Sequence, residues 1–269
     1  MTTICDRERF EAACRLISSG GRLKSGIGTM GEGSVHAVLK NYFEPSQDSQ
    51  ELKVGGYVAD IVGEDGIIEI QTGHFSGLKD KLGAFLPAAR VTVVYPVYAK
   101  KRIVTIDREG EAGKPRTSPL KETPYELFRE LFPIAPHLSQ PGLRFIIMSL
   151  ECTEYRTDPE FIGRRKNRRG RFTVLDRMPA ALIDEIRISD PTGWQQLIPC
   201  IMEKDFTTAD LADCGNIPRQ TAQMALSALY RGNILLRTGK KGNAYTYRFN
   251  DELSHDSGCD NEPCEEIFF

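Results

Sequence analysis

Residues 57–71 read Tyr-Val-Ala-Asp-Ile-Val-Gly-Glu-Asp-Gly-Ile-Ile-Glu-Ile-Gln, and no other stretch limits the fold of this chain as much. Two short apolar runs flank a Gly-Glu-Asp-Gly turn sequence, which predicts a β-hairpin. Asp60, Glu69 and Gln71 interrupt the apolar runs. If Glu64-Asp65 form a two-residue loop, Asp60 falls opposite Glu69. If Asp65-Gly66 form it, Asp60 faces Gln71 and Glu69 is its diagonal neighbour. Both registers place the three polar residues on one face, because paired residues share a face and side chains alternate. A three-residue loop would set Asp60 opposite Ile70 instead. Two carboxylates side by side on a sheet repel each other unless a cation lies near them. Hard oxygen ligands beside an amide suit Mg²⁺, which takes one or two carboxylates and keeps several waters. The competing expectation is a plain wet face of an antiparallel sheet.

The flanking sequence supplies helices and further strands. Residues 7–18 place Phe10, Ala13, Cys14 and Ile17 at helical spacing. A glycine-rich segment, 20–33, leads into a helix expected over 32–43, with Val35, Val38, Leu39 and Tyr42 on its apolar face and Glu32, His36 and Lys40 on the opposite one. For Lys40 a solvated helix face is the expectation. Short strands are expected at 51–54, 57–62 and 67–72, a helix at 74–86, and strands at 91–97 and 144–150, with 103–106 pairing to the former. Thr123, followed by Pro124 at the first helical position, is expected to cap a further helix. This order implies an α/β fold, a mixed sheet with helices on its faces. Gly26-Ile27-Gly28-Thr29-Met30-Gly31 matches a dinucleotide fingerprint, but a helix pattern precedes it where a strand is needed, so it reads as a hinge. His74 reads as an exposed residue at a helix start.

Charge is unevenly spread. The net formal charge is −2, yet residues 161–250 carry 15 basic and 8 acidic side chains, while residues 251–269 carry seven acids and no Lys or Arg. Arg164, Arg165, Lys166, Arg168, Arg169 and Arg171 fall within eight residues. Such density repels itself unless an anion lies near, which points to a phosphate-gripping loop. The longest apolar runs are far below the roughly 18–20 residues of a membrane span. No charged-then-apolar leader opens the sequence. Seven cysteines at irregular spacing read as a reduced, cytoplasmic chain. The Cys259/Cys264 pair lacks a histidine at zinc spacing.

A helix with Glu32, a hairpin with Asp60 and Glu69-Ile70-Gln71, then a helix and a strand resemble the PD-(D/E)xK nuclease superfamily. Restriction enzymes and Holliday-junction resolvases belong to it. The resemblance covers residues 31–97, and it implies a restriction-endonuclease-like mixed sheet over residues 1–200. It also implies that Asp60, Glu69 and the Ile70 carbonyl hold Mg²⁺ or Mn²⁺. Glu32 would ligate a second metal or orient its water, and phosphodiester hydrolysis would leave a 5′-phosphate and a 3′-hydroxyl. Gln71 stands at the family's lysine position and cannot supply positive charge. Some members take that lysine from the following helix, where Lys79 and Lys81 are the candidates.

Residues 201–250 follow another pattern. Thr207 caps a helix through 212, Asn216-Ile217-Pro218 turns into a second helix over 219–230, and a hairpin with a turn at 239–243 follows. Two helices and a hairpin in this order make a small winged helix-turn-helix domain. Arg219, Gln220 and Gln223 would open its recognition helix and meet base edges. Lys240, Lys241 and Asn243 would tip the wing onto the backbone or minor groove. Residues 251–269 read as an acidic disordered tail. The expectation is a metal-dependent DNA endonuclease-like protein placed on duplex DNA by its winged helix, with no membrane and no small-molecule cofactor. A double-strand cut calls for two copies of the chain. The alternatives are a DNA-binding regulator that has lost catalysis and a protein-interaction module.

Overall fold

The structure, a computed structural model, describes residues 6–19, 33–158, 160, 172–198 and 205–254. Near-continuous runs of Val, Ile and Leu suit strands covered on both faces. Three such runs, β3 (Gly66–Ile70), β4 (Val91–Ile106) and β6 (Leu143–Thr157), lie parallel at the centre of a seven-stranded mixed sheet. On one side β2 (Tyr57–Gly63) and β1 (Gln50–Val54) continue it antiparallel. On the other side β7 (Thr173–Ile188) pairs antiparallel with β6, and the two-residue β5 (Arg116–Thr117) pairs with β4. The fold is therefore α/β, with a large mixed sheet flanked by helices.

Each face of the sheet carries its own apolar layer. Helices α1 (Arg7–Ser19) and α2 (Ser34–Phe43) cover one face, packing Phe10, Val38 and Leu39 against Ile146, Met148 and Leu150. Helix α3 (Leu78–Phe85) covers the other, with Leu78, Leu82 and Phe85 against Val91, Val93 and Phe145. Trp194 joins that second layer, its ring 5.1 Å from that of Phe145. The N-terminus of α2 borrows a cap from across the sheet. Asp176 of β7 accepts a hydrogen bond from the Ser34 amide at 3.0 Å and another from its hydroxyl.

Several expected boundaries move. Residues 103–106 do not form a separate partner strand, because β4 runs unbroken through Lys100, Lys101 and Arg102. The helix expected over 74–86 is a 3₁₀ turn, Phe75–Gly77, followed by α3. Thr72 lies outside β3, which stops at Ile70. Gln71 still donates its amide to the Val94 carbonyl at 2.9 Å, but the next donor along β4 would be Pro96, which has none. Thr123 precedes only a 3₁₀ stretch, Pro124–Arg129, and makes no side-chain cap bond. Pro133 and Pro136 follow closely, and their missing N–H groups prevent a longer α-helix. Among the described residues, Cys14 is a half-buried free thiol and Cys152 a buried one.

After residue 204 come α4 (Thr208–Gly215), α5 (Arg219–Arg231) and a hairpin of β8 (Leu235–Lys241) and β9 (Ala244–Phe249). Thr207 and Asp210 form a reciprocal capping box at the start of α4. The hairpin turn is shorter than 239–243: Lys241 pairs with Ala244, and Gly242 takes φ +62°. Asp251–Ser254 add a 3₁₀ turn whose Leu253 packs on the core, so order extends past 250. These elements share one apolar cluster with the sheet layer, where Leu226 and Leu229 meet Leu131, Ile134 and Leu138. Contact is closest at Gly232, where a Cβ would lie 2.7 Å from the Ala135 carbonyl oxygen and 2.8 Å from the Leu138 Cβ. Gly232→Ala should therefore lower the unfolding free energy by about 1–3 kcal/mol. Urea denaturation reads this as a lower midpoint, and an unchanged midpoint would mean that α5 does not rest on that turn.

Candidate functional site

The hairpin adopts the first of the two expected two-residue loops. Gly63 pairs with Gly66 across Glu64-Asp65, the register that sets Asp60 opposite Glu69. Ladder pairing runs from that turn to Ile61 and Ile68 and then gives way, because β2 turns over at Asp60. Ala59 belongs to the α3-side layer and Ile61 to the α2-side layer, although simple alternation would give them one face. On the neighbouring strand, Glu51 takes the left-handed φ of +56°. The two strands thus form a fork, and the carboxylates fill it. The Asp60 amide donates to Glu69 Oε1 at 3.2 Å, and the Ile70 amide donates to Asp60 Oδ2 at 2.7 Å.

Each acid is also tied to a helix on a different face of the sheet. His36 of α2 places Nε2 3.2 Å from Asp60 Oδ2. Lys81 of α3 places Nζ 2.8 Å from Glu69 Oε2, and Gln71 Nε2 lies 3.5 Å from the same oxygen. Glu69 has no solvent exposure, so a plain wet face is excluded. Burial opposes the charge on Asp60, but the His36 hydrogen bond and charge, the Ile70 amide and Lys81 outweigh it and hold the carboxyl below its ordinary range. For Glu69, burial and then the neighbouring Asp60 charge push the carboxyl up, and Lys81 counters them only in part.

Of the two helix lysines, Lys81 enters the site while Lys79 stays on the surface. Lys40 is not the solvated residue expected, since it is buried and its Nζ lies 2.6 Å from Glu51 Oε1. His36 was visible only as part of a polar helix ridge, with no sign that it meets Asp60. His74 is exposed and pairs with Glu130 at 3.1 Å. Glu32, the glycine-rich segment, the basic run Arg164 to Arg171 and the Cys259/Cys264 pair lie outside the described residues. Arg219, Gln220, Gln223, Lys240, Lys241 and Asn243 are all exposed on the C-terminal elements.

Among the described residues, no group of three or more His, Cys, Asp or Glu side chains is arranged to hold a metal ion. Two carboxylates and the Ile70 carbonyl remain as oxygen donors. Asp60 directs both of its hydrogen bonds to Oδ2, leaving Oδ1 without a described partner. This donor set fits a hard divalent cation that keeps much of its water.

Fold and site together define an α/β protein with paired acids at the end of a central strand. The chain belongs to the DUF8091 family, a domain of unknown function, whose model matches residues 33–189. That span includes Asp60, Glu69 and Lys81 and stops short of α4. The chain is also similar to an uncharacterized protein of Treponema pallidum (strain Nichols), with 27% identity over 223 residues, covering 82% of this chain and 87% of that protein. No solved structure matches.

The two acids should leave opposite pH signatures. The raised Glu69 carboxyl gives stability that is full below its ordinary value of 4.5 and is lost as pH rises through the raised value. The lowered Asp60 carboxyl gives stability present above 3.8 and lost as pH falls through the lowered value. Glu69→Gln, which cannot ionise, should therefore gain stability relative to the parent chain as pH rises above 4.5. Urea denaturation across that range tests it. A constant difference at all pH values would show that Glu69 does not sit in the dry fork.

Proposed function

We propose that the chain is a metal-dependent, DNA endonuclease-like protein that hydrolyses phosphodiester bonds and is positioned on duplex DNA by its C-terminal elements. The observation that carries this reading is the ion pair between Lys81 and the buried Glu69. It supplies, from the following helix, the positive charge that Gln71 lacks. The acids, the lysine and their place after a turnover in the hairpin agree with the resemblance to PD-(D/E)xK nucleases.

Asp60, Glu69 and the Ile70 carbonyl would hold Mg²⁺ or Mn²⁺, with Glu32 as a further acid. The bound ion would supply an acidified water and charge stabilisation on the phosphate. The chain's own groups do the rest. His36 and the Ile70 amide fix the Asp60 carboxylate. Gln71 and Lys81 fix Glu69, and the Lys81 ammonium stands ready to offset charge on a phosphate oxygen.

On this reading α4, α5 and the β8–β9 hairpin form a winged helix. Arg219, Gln220 and Gln223 at the start of α5 would face base edges, and Lys240, Lys241 and Asn243 at the hairpin tip would face the backbone. The basic run Arg164, Arg165, Lys166, Arg168 and Arg169 would grip phosphates. A second reading, a DNA-binding regulator without cleavage, draws on one observation: Lys81 and His36 already occupy both acids as hydrogen-bond partners.

Two experiments separate these readings. With Mg²⁺ or Mn²⁺ added, the parent chain should nick or cut plasmid DNA. Asp60→Ala and Glu69→Ala should abolish this, and Lys81→Met should slow it by about 10²–10³-fold, as removal of one charge-stabilising group does. Binding without cleavage in either metal would favour the regulator. For the wing, Lys240→Ala/Lys241→Ala should weaken duplex binding and reduce the slope of log K against log salt by about 2, roughly 0.9 per phosphate contact. An unchanged slope would remove the wing from the interface.

A further inference from the structure

We infer that a cleft on the α2 side of the sheet, separate from the acid pair, binds a free nucleoside monophosphate. Its volume is about 550 Å³, within the range of small-molecule sites. Gly63, which lines it, follows Asp60 by three residues, and neither acid of the pair lines it.

The floor is built by strand register. Ile68 pairs with Thr92, Thr92 with Arg144, and Ile146 with Arg187. Paired residues share a face, so two arginines and a threonine rise from the same surface as Ile68 and Ile146. All five line the cleft, together with Ile61.

Among the described residues, two buried side-chain polar atoms have no hydrogen-bond partner: Arg144 Nε and Glu185 Oε2. Arg144 lines the cleft, and Glu185 lies two residues before the cleft-lining Arg187 on β7. Among the described residues, Arg144 has no ion-pair partner. Glu185 uses its other oxygen, Oε1, to accept from Arg187 Nε, which fixes that arginine beside the cleft. A buried donor left unpaired is costly, so native structures rarely keep one without a reason. A guanidinium whose buried Nε lacks a partner, beside a second, braced guanidinium and a hydroxyl, is a fork for a phosphate. The half-buried Ile68, with the buried Ile61 and Ile146 beneath it, supplies an apolar surface for a nucleobase. Glu44, Glu64 and Asp65 on the rim accept hydrogen bonds from sugar hydroxyls and repel a polyanionic strand, which selects a free mononucleotide.

Isothermal titration of the full chain with adenosine, guanosine, cytidine and uridine 5′-monophosphates tests this. At least one should bind with 1:1 stoichiometry, and Arg144→Gln or Arg187→Gln should weaken it by about tenfold to a hundredfold, as loss of a charged hydrogen bond does. Arg144→Leu removes the orphaned donor, so it should abolish binding yet raise the melting temperature of the ligand-free chain by about 2–4 °C. That rise also shows that lost binding is not lost folding. The assignment is overturned if no monophosphate binds, or if inorganic phosphate or the unphosphorylated nucleoside binds equally well. Tighter binding of a 5′-phosphorylated oligonucleotide would likewise overturn it.

Discussion

A carboxylate with no access to water constrains this structure more than any other group. Glu69 sits in the central region of the sheet, where an unpaired charge would be expelled or protonated. Three donors keep it there: the Asp60 amide from the neighbouring strand, Lys81 from α3 and, more distantly, Gln71. Each has a structural consequence. To turn its amide toward Glu69, β2 rolls over at Asp60, and that roll moves Ile61 into the opposite apolar layer from Ala59. To reach Glu69, α3 must lie where Leu78 and Leu82 anchor it, which fixes the crossover between β3 and β4. Burial of one charge thus sets the local twist of the sheet and the seat of a helix.

The same principle holds at the far end of the sheet. Glu154 is nearly inaccessible and is met by Arg177 at 2.8 Å, Lys101 at 3.6 Å and Arg156. Burial opposes its charge, yet the two arginine hydrogen bonds and the surrounding cations keep its carboxyl below the ordinary range. Arg177 and Lys101 also pack on the Tyr98 ring, with 5.0 and 5.7 Å to its centroid. These contacts link β4, β6 and β7 by charge beyond the two main apolar clusters. They explain how β4 and β6, of 16 and 15 residues, persist beyond the helices that cover their first halves, with the antiparallel β7 alongside.

That device also explains what the sequence concealed. The hairpin was legible because turn residues and apolar alternation agree there, and the observed register is one of the two anticipated. The apolar faces of α1, α2 and α3 were legible through helical spacing. β7 was not, since Asp176, Arg177, Pro179, Asp184, Glu185 and Arg187 give it the composition of a loop. Its polar residues are satisfied by partners distant in sequence, such as Ser34 and Glu154, and spacing rules do not reach that far. The distal half of β4 was split for the same reason: Lys100, Lys101 and Arg102 read as surface, although Lys101 is buried against Glu122 and Glu154. His36 and Lys40 shared one polar ridge, and only tertiary contact separates the first, on Asp60, from the second, on Glu51.

The replacement of a strand lysine by a helix lysine changes what the site can do, on the proposed reading. A lysine at position 71 would be held by the strand itself, with its reach fixed by the β3–β4 ladder. Lys81 instead rides on an eight-residue helix whose N-terminus follows a 3₁₀ turn, and its side chain is about a quarter exposed. Its ammonium is bonded to Glu69 in the chain without metal. With Glu69 engaged by a cation, Lys81 Nζ would be free to turn toward the solvent side and meet a phosphate oxygen. Positive charge would then be delivered only when metal is present, and the resting site would keep its buried acid neutralised. Gln71, uncharged and donating to the same carboxylate, fits that arrangement better than a second lysine would, since two ammonium groups on one carboxylate would oppose the entry of a divalent ion.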